Sequence, residues 1–447
     1  MMIGYDKNLS YDSYLKHYLK DVLNLDDVQL LYTNRFGCYS FTTVAPMRGC
    51  KNCEYINNYP HFNIPLDVSL KELDDFINHR PIYNEDFTLR YGDIHPNKPI
   101  PMLGQLRNLY VDDMIKGLIR TSGEINNIFT IGDISKKTIN KFLDSYSQSE
   151  RKIAFETLYT SLMHGKFLDF ELLDDYSKYC DVSIEKTDGV LSKLGFVDID
   201  YLRESELYKY AEIYDFIRNL SYSNGINEND EIKYFLQEFM FLLNPCIKDS
   251  VIINIIGQDQ SEHIKKVLQV KKDNNLDLNV MFLTYNICKS AASRNLEEWS
   301  EILYNIIETN NIQIDDEKIE AFDFLRLFYA AVGTNQIIDF NIIKNINIVM
   351  FDKIFCSLSR RSLTNFNGFS LTGEQLIAKM ALINQVYYNA LISGNPSKVT
   401  RFLFDIMKAY NSVQEKEKVR DLYNAVVTTA MTDLSINKTK IYKRRGL

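Results

Sequence analysis

No apolar run in this 447-residue chain approaches the length of a membrane span, so no transmembrane anchor is expected. The opening residues, MMIGYDKNLSYD, lack both the basic and the apolar region of a secretory signal, which points to a cytoplasmic protein. Cysteine is sparse, scattered and odd in number, at Cys38, Cys50, Cys53, Cys180, Cys246, Cys288 and Cys356, which argues against a disulfide framework. Cys50 and Cys53 form the one C-x-x-C; without a second pair or a histidine at metal spacing, reduced loop thiols are expected there rather than zinc. An excess of positive charge is missing too. A net charge of −8 offers no bulk attraction to nucleic acid, so DNA binding is not expected and any RNA contact must come from local basic patches.

What remains is ordinary for a globular protein of two or three domains, since 45% hydrophobic and 25% charged residues suffice for packed cores at this length. Seven of the nine prolines fall between Pro46 and Pro101, which marks a boundary near residue 85. Residues 1–85 form a first unit of mixed character. Tyr11 to Leu25 is helical in pattern, DVQLLYTNRFGCYSFTTV is β-rich, and IPLDVSLKELDDFIN returns to helix. Residues 86–300 alternate strand and helix, with FTLRY and NNIFTIGD as strands around VDDMIKGLIR, whose Val111, Met114, Ile115 and Leu118 recur at helical spacing. That order predicts a βαβ unit and a parallel sheet, with ligands at the carboxyl ends of its strands. Residues 301–447 read as successive amphipathic helices, with one stripe from Val399 to Tyr410 and another from Val419 to Ala430.

The chain is organised around Ile94 to Asn108, IHPNKPIPMLGQLRN. A proline-rich loop leads through Gly104 towards a helix, and a helix N-terminus gathers unpaired N–H groups that suit phosphate. This stretch resembles the start of the catalytic domain of arginyl-tRNA synthetases, class I enzymes in which His-Pro-Asn-Lys-Pro leads into His-Ile-Gly-His and Leu-Arg-Asn. His95, Pro96, Asn97, Lys98, Pro99, Leu106, Arg107 and Asn108 match. The tetrad reads Met102-Leu103-Gly104-Gln105, keeping only the glycine; Met102 cannot donate a hydrogen bond to phosphate, and Gln105 donates one without charge.

Further resemblances follow in the family's order. YPHFNIPL is similar to the segment closing its N-terminal tRNA-binding domain; Ile131 and Asp133 match one block, and Asp198, Glu204, Ser205, Leu207 and Tyr208 another. Tyr234 and Glu238 stand where the family has a Tyr and an Asp that grip the substrate guanidinium, on one helix face by their four-residue spacing. Gly257, Asp259, Gln260 and His263, directly after the buried strand VIINII, match Gly-x-Asp/Glu-Gln-x-x-His, whose Gln lines the amino-acid pocket. Arg90 stands where a substrate-pairing Glu is usual, so the pocket either holds another ligand or is filled by Arg90 itself. The Lys-Met-Ser-Lys loop becomes Cys288, Lys289, Ser290 and Ala291, with Arg294 nearby and Asn295 kept. Both of the family's lysines are gone from their places, each lost donor being worth roughly 3–4 kcal/mol by analogy with oxyanion donors. Later, FCSLSRR and NPSKVTRFLFDIMKAYNSV resemble parts of the anticodon-binding domain, where Arg360, Arg361, Lys398, Arg401 and Lys408 would meet tRNA phosphates. The tail ends in Lys440, Lys443, Arg444 and Arg445, a further basic arm.

The resemblance implies a multidomain protein: a small α+β N-terminal domain, an α/β Rossmann-like catalytic domain and an all-α anticodon-binding-like bundle. It implies degenerate catalytic positions at Gly104, Gln105, Lys289 and Ser290, substrate positions at Asn97, Tyr234, Glu238 and Gln260, and nucleotide positions at His95, Lys98, Gly104, Gly257, Asp259 and His263. ATP with Mg2+ would be the cofactor, and tRNA and arginine or a related molecule the partners. With two motifs degenerate together, the leading expectation is a synthetase-like protein that binds tRNA but has lost ordinary arginine activation. An authentic, divergent ligase in which Lys98, Lys289 and Arg294 substitute is the first alternative. A non-catalytic protein partner of a synthetase is the second.

Overall fold

A computed structural model describes residues 2–3, 9–26, 28–33, 41–97, 103–164, 169–196, 198–223, 230–247, 249–286, 288–289, 301, 320–339, 353–354, 357–358 and 370–436. Near the N-terminus, β1 (Met2–Ile3) precedes α1 (Tyr14–Asp21), which starts where the Ser13 side chain accepts a hydrogen bond from the Lys16 N–H. A four-stranded antiparallel sheet follows, built from β2 (Leu30–Tyr32), β3 (Phe41–Thr43), β4 (Glu54–Ile56) and β5 (Tyr59–Phe62) in the order β2-β3-β5-β4. Helix α2 (Leu66–Ile77) closes this unit, as the apolar period of its sequence predicts. Cys50 and Cys53 lie side by side, their Cα atoms 5.9 Å apart, within the span a disulfide can bridge. The three-residue spacing on a tight turn brings them within bonding reach.

The central layer is a six-stranded sheet of β1, β6 (Phe87–Ile94), β7 (Ile125–Ile131), β8 (Asp200–Arg203), β9 (Val251–Gly257) and β10 (Val280–Tyr285). Its order is β1-β10-β9-β6-β7-β8, parallel throughout except for β1, which runs antiparallel to β10. The chain leaves β6 for β7 and β8 on one side, then returns to place β9 and β10 on the other. The order therefore reverses between β6 and β9, where the carboxyl ends of an open sheet leave a crevice. The expected βαβ unit is present as β6, α3 (Leu103–Leu118) and β7.

Helix α3 begins one residue before Gly104, earlier than the loop-then-helix reading of the sequence suggests. The reason lies in its spacing: Leu106, Leu109 and Tyr110 are buried and continue the period of Met114 and Leu118 backwards, so packing favours helix from Leu103 onward. Strand β9 reads as a continuous aliphatic run because both its faces are covered. Ile253 and Ile255 pack with α3 and the C-terminal helices, while Ile252 packs on the opposite side.

That opposite side is covered by α4 (Lys136–Phe142), α5 (Gln148–His164), α6 (Phe170–Lys193), α7 (Glu204–Leu207), α8 (Ala211–Ser223), α9 (Asp230–Leu242) and α10 (Ser261–Asp273). Beyond the sheet, β11 (Cys288–Lys289) pairs in parallel with β12 (Ile338–Asp339), with α11 (Glu320–Ala331) between them in the chain. The described C-terminal residues are helical: α12 (Leu371–Met380), α13 (Ile383–Ile392), α14 (Ser397–Asn411) and α15 (Lys416–Asp433). The α14 and α15 stripes expected from the sequence are buried, with Val399, Leu403 and Ile406 from one and Val419, Val426 and Ala430 from the other. No described helix is long and apolar enough to cross a membrane.

Candidate functional site

A cavity of about 370 Å³ opens at the carboxyl ends of β6 and β9, at the reversal of strand order. Arg90, Tyr91 and Gly92 come to it from β6, Asn254 to Gly257 from β9, Gln105 and Asn108 from α3, and Gln237 and Glu238 from α9. Arg90 and Asn254 are register partners across β6 and β9. Strand alternation points both towards the α9 side, because their neighbours Leu89, Ile253 and Ile255 pack on the other. Just beyond, β6 shifts register between Arg90 and Asp93, and Gly92 has a φ of +88°. A Cβ at Gly92 would sit 2.9 Å from the Asn108 Nδ2, so only glycine lets strand and helix meet here.

Within the cavity Arg90 is bound by the protein itself. Its Nη1 donates to the Glu238 Oε2 at 2.8 Å, its Nε donates to the Thr130 Oγ1 at 3.0 Å, and the guanidinium lies 4.5 Å from the centre of the Phe241 ring. The other Glu238 oxygen accepts from the Asn254 Nδ2 at 3.0 Å. Both charged side chains are nearly enclosed, at 6% and 12% exposure, so the pair is desolvated and neither partner could be left alone cheaply. Arg90 thus engages Glu238 within the cavity wall and leaves the rest of the cavity open.

Other motif positions tie the surrounding elements to one another. Asp133, after β7, accepts from the Ser205 N–H at 2.9 Å and from its hydroxyl at 2.5 Å, tying the turn after β7 to α7. Burial raises the Asp133 carboxyl above its ordinary range, and the Ser205 hydrogen bonds oppose that shift. Arg107 is fully buried and donates to four carbonyls, those of Asn286, Gly333, Thr334 and Gln336, at 2.6, 3.3, 3.1 and 3.1 Å. It thus staples α3 to the chain that follows β10 and to the turn after α11.

Of the expected site residues, His95, Gln105, Glu238, Gly257 and Gln260 line the cavity. Gly104 lies in the first turn of α3, and Tyr234 in α9, one turn before Glu238; nothing is described of the Tyr234 side chain. Asn97 follows β6 half-buried, Asp259 is exposed, and His263 is on α10; none of the three is among the cavity's lining residues. Lys289 lies in β11, in register with Asp339. Lys98, Ser290, Arg360 and Arg361 lie outside the described residues. Lys398, Arg401 and Lys408 are exposed along α14, where Lys398 donates to the Asn389 carbonyl at 3.0 Å and Lys408 stands 3.7 Å from Asp405.

Residues with no expected role also line the site: Asn254, Asn108, Gln237, Glu204 and Ser135. Asn254 carried a signal, a lone polar residue inside the aliphatic run VIINII, whereas Gln237 carried none. A triphosphate bears roughly four negative charges and needs cations or donors in proportion. Among the described lining residues the cationic guanidinium is already neutralised by Glu238, and Glu204 adds a second carboxylate. No group of three or more His, Cys, Asp or Glu side chains among the described residues could hold a metal ion.

Most of the chain superposes on known structures. It matches the Thermus thermophilus arginyl-tRNA synthetase with a TM-score of 0.60 at 12% identity, over 95% of this chain and 96% of that one. The fold is that of an arginyl-tRNA synthetase. The Plasmodium falciparum arginyl-tRNA synthetase gives a TM-score of 0.64, also at 12% identity, over 95% of each chain. No protein-family model and no curated protein matches the sequence. The fold is shared at an identity where side-chain chemistry must be read from this chain's own residues, and here the cavity wall contains Arg90.

Proposed function

We propose that this chain is an arginyl-tRNA synthetase-like protein that binds tRNA and has lost ordinary arginine activation. The observation that carries the reading is the Arg90–Glu238 pair, which occupies the carboxylate that the resemblance assigns to the substrate guanidinium. A second guanidinium entering beside Arg90 would meet like charge in a desolvated site, where repulsion is far stronger than in water. The altered tetrad around Gly104 and the run from Cys288 to Ala291 act in the same direction, because they supply fewer donors to a triphosphate.

Arginine-dependent exchange of pyrophosphate into ATP tests this directly. The expected result is no exchange above background; exchange at ordinary synthetase rates would refute lost activation and restore the divergent-ligase reading. The tRNA part rests on α14, where Lys398, Arg401 and Lys408 recur along one exposed side. Gel shift with total tRNA should show binding that weakens as salt rises. The triple variant Lys398→Glu, Arg401→Glu, Lys408→Glu should bind less tightly and with a salt slope shallower by about 2–3. A protein with no salt-sensitive shift would instead be a protein-interaction module.

A further inference from the structure

The cavity at the ends of β6 and β9 already holds a guanidinium, and its surroundings have the features of a ligand site built for one. Glu238 uses both oxygens, one on Arg90 and one on Asn254; the Thr130 Oγ1 accepts a hydrogen bond from the Arg90 Nε, and Phe241 lies against the planar face. We propose that Arg90 is the specificity-determining residue of this cavity, a built-in occupant that excludes arginine and other cationic side chains and leaves the space to a small donor-bearing molecule without a second cation.

This rests on the reading that arginine activation is lost, and extends it to what the site accepts. Two observations describe the remaining space. The Arg90 and Glu238 charges cancel within the wall, so a further cation finds no unmatched carboxylate at that position, and the other lining carboxylate, that of Glu204, is buried. The amide oxygens of Asn108 and Asn254, both buried residues lining the cavity, have no hydrogen-bond partner among the described residues, while their Nδ2 groups donate to the Tyr91 carbonyl and to Glu238. Buried acceptors without donors favour a ligand that brings N–H or O–H groups. Gln105, Gln237 and Gln260 add neutral amides to the same lining.

The geometry makes a definite statement about what deletion of the occupant does. Arg90→Ala leaves a buried Glu238 carboxylate facing a hole of guanidinium shape, so the variant should melt at a lower temperature than wild type. Millimolar guanidinium chloride, or methylguanidinium chloride, should saturably restore at least half of that loss, while sodium chloride at equal ionic strength should not. The double variant Arg90→Ala, Glu238→Gln, which removes the carboxylate charge, should not respond to guanidinium. Wild type should show no saturable stabilisation by L-arginine. If Arg90→Ala does not fold alone, its refolding yield with guanidinium against sodium reports the same binding. Guanidinium-insensitive melting or refolding of Arg90→Ala, an equal response of the double variant, or saturable L-arginine binding by wild type would each overturn the proposal. The rescue assay reads only the cavity, so its failure is distinct from that of lost activation, which the pyrophosphate exchange of the wild-type protein decides.

Discussion

Asp112 stands one turn after Asn108 on α3, fully buried, and neither of its carboxylate oxygens has a hydrogen-bond partner among the described residues. Burial, and then the neighbouring Asp113 charge, push its carboxyl well above the ordinary range. An acid raised in this way keeps its proton in the folded protein at pH values where the unfolded chain has lost it. Stability therefore falls as pH rises above the unfolded value of about 4 and continues to fall up to the folded pKa. Asp112→Asn should remove that penalty. Urea melts should show a gain on the order of 1 kcal/mol at pH 7 that disappears near pH 4; an equal effect at both pH values would contradict the charge argument. At the same scale, Arg90 shows why a sequence leaves such matters open. Its identity could be read, but whether it repels a ligand or replaces one depends on where Glu238 points, and that is settled by the packing of α9 against β9.

Helix α3 joins the cavity at its first turns to the C-terminal helices at its last. Its existence and buried face were legible in the period of Val111, Met114, Ile115 and Leu118. Its start at Leu103 was not, because a glycine after a proline-rich stretch reads locally as loop, and only the burial of Leu106 and Leu109 tips the balance. Gly117 illustrates a second illegible constraint. A Cβ there would meet the Asp433 carbonyl oxygen at 1.6 Å, so α3 and the end of α15 touch backbone to backbone. Gly117→Ala gains helix propensity yet should destabilise the protein by about 1–3 kcal/mol through overpacking, measured as a lower urea midpoint with unchanged slope. A stabilised variant would show that the two helices can part without loss.

At the scale of the molecule, a few buried polar groups hold the successive units to one another. Arg120, just beyond α3, donates to the Asp433 Oδ2 at 2.6 Å and to the Phe76 carbonyl at 2.5 Å, and the Tyr387 hydroxyl donates to the same Asp433 oxygen at 2.8 Å. Four segments, from α2, the end of α3, α13 and α15, thus converge on one ion pair, whose side chains are only 4% and 8% exposed. Asp433→Ala should cost about 3–5 kcal/mol, because it leaves the Arg120 charge buried without its counter-ion. Chemical denaturation would check this, and a loss under about 1 kcal/mol would show that the junction relaxes readily. The N-terminal sheet is attached in a similar way: Gln385 of α13 both donates to the Leu30 carbonyl and accepts its N–H, as a neighbouring strand would.

By itself the sequence determined the kinds of element and their order, since period-2 and period-3.6 burial is imposed by local geometry and written in every apolar stripe. It also supplied an ordered series of short resemblances that the superposition supports at the level of fold. Only the tertiary structure decided that β6 and β9 meet at the reversal of strand order, that Arg107 serves as a staple, and that Arg90 answers Glu238. Those outcomes depend on residues far apart in the chain, Arg90 and Glu238 being separated by 148 positions, and no local pattern records a contact made only when the sheet closes.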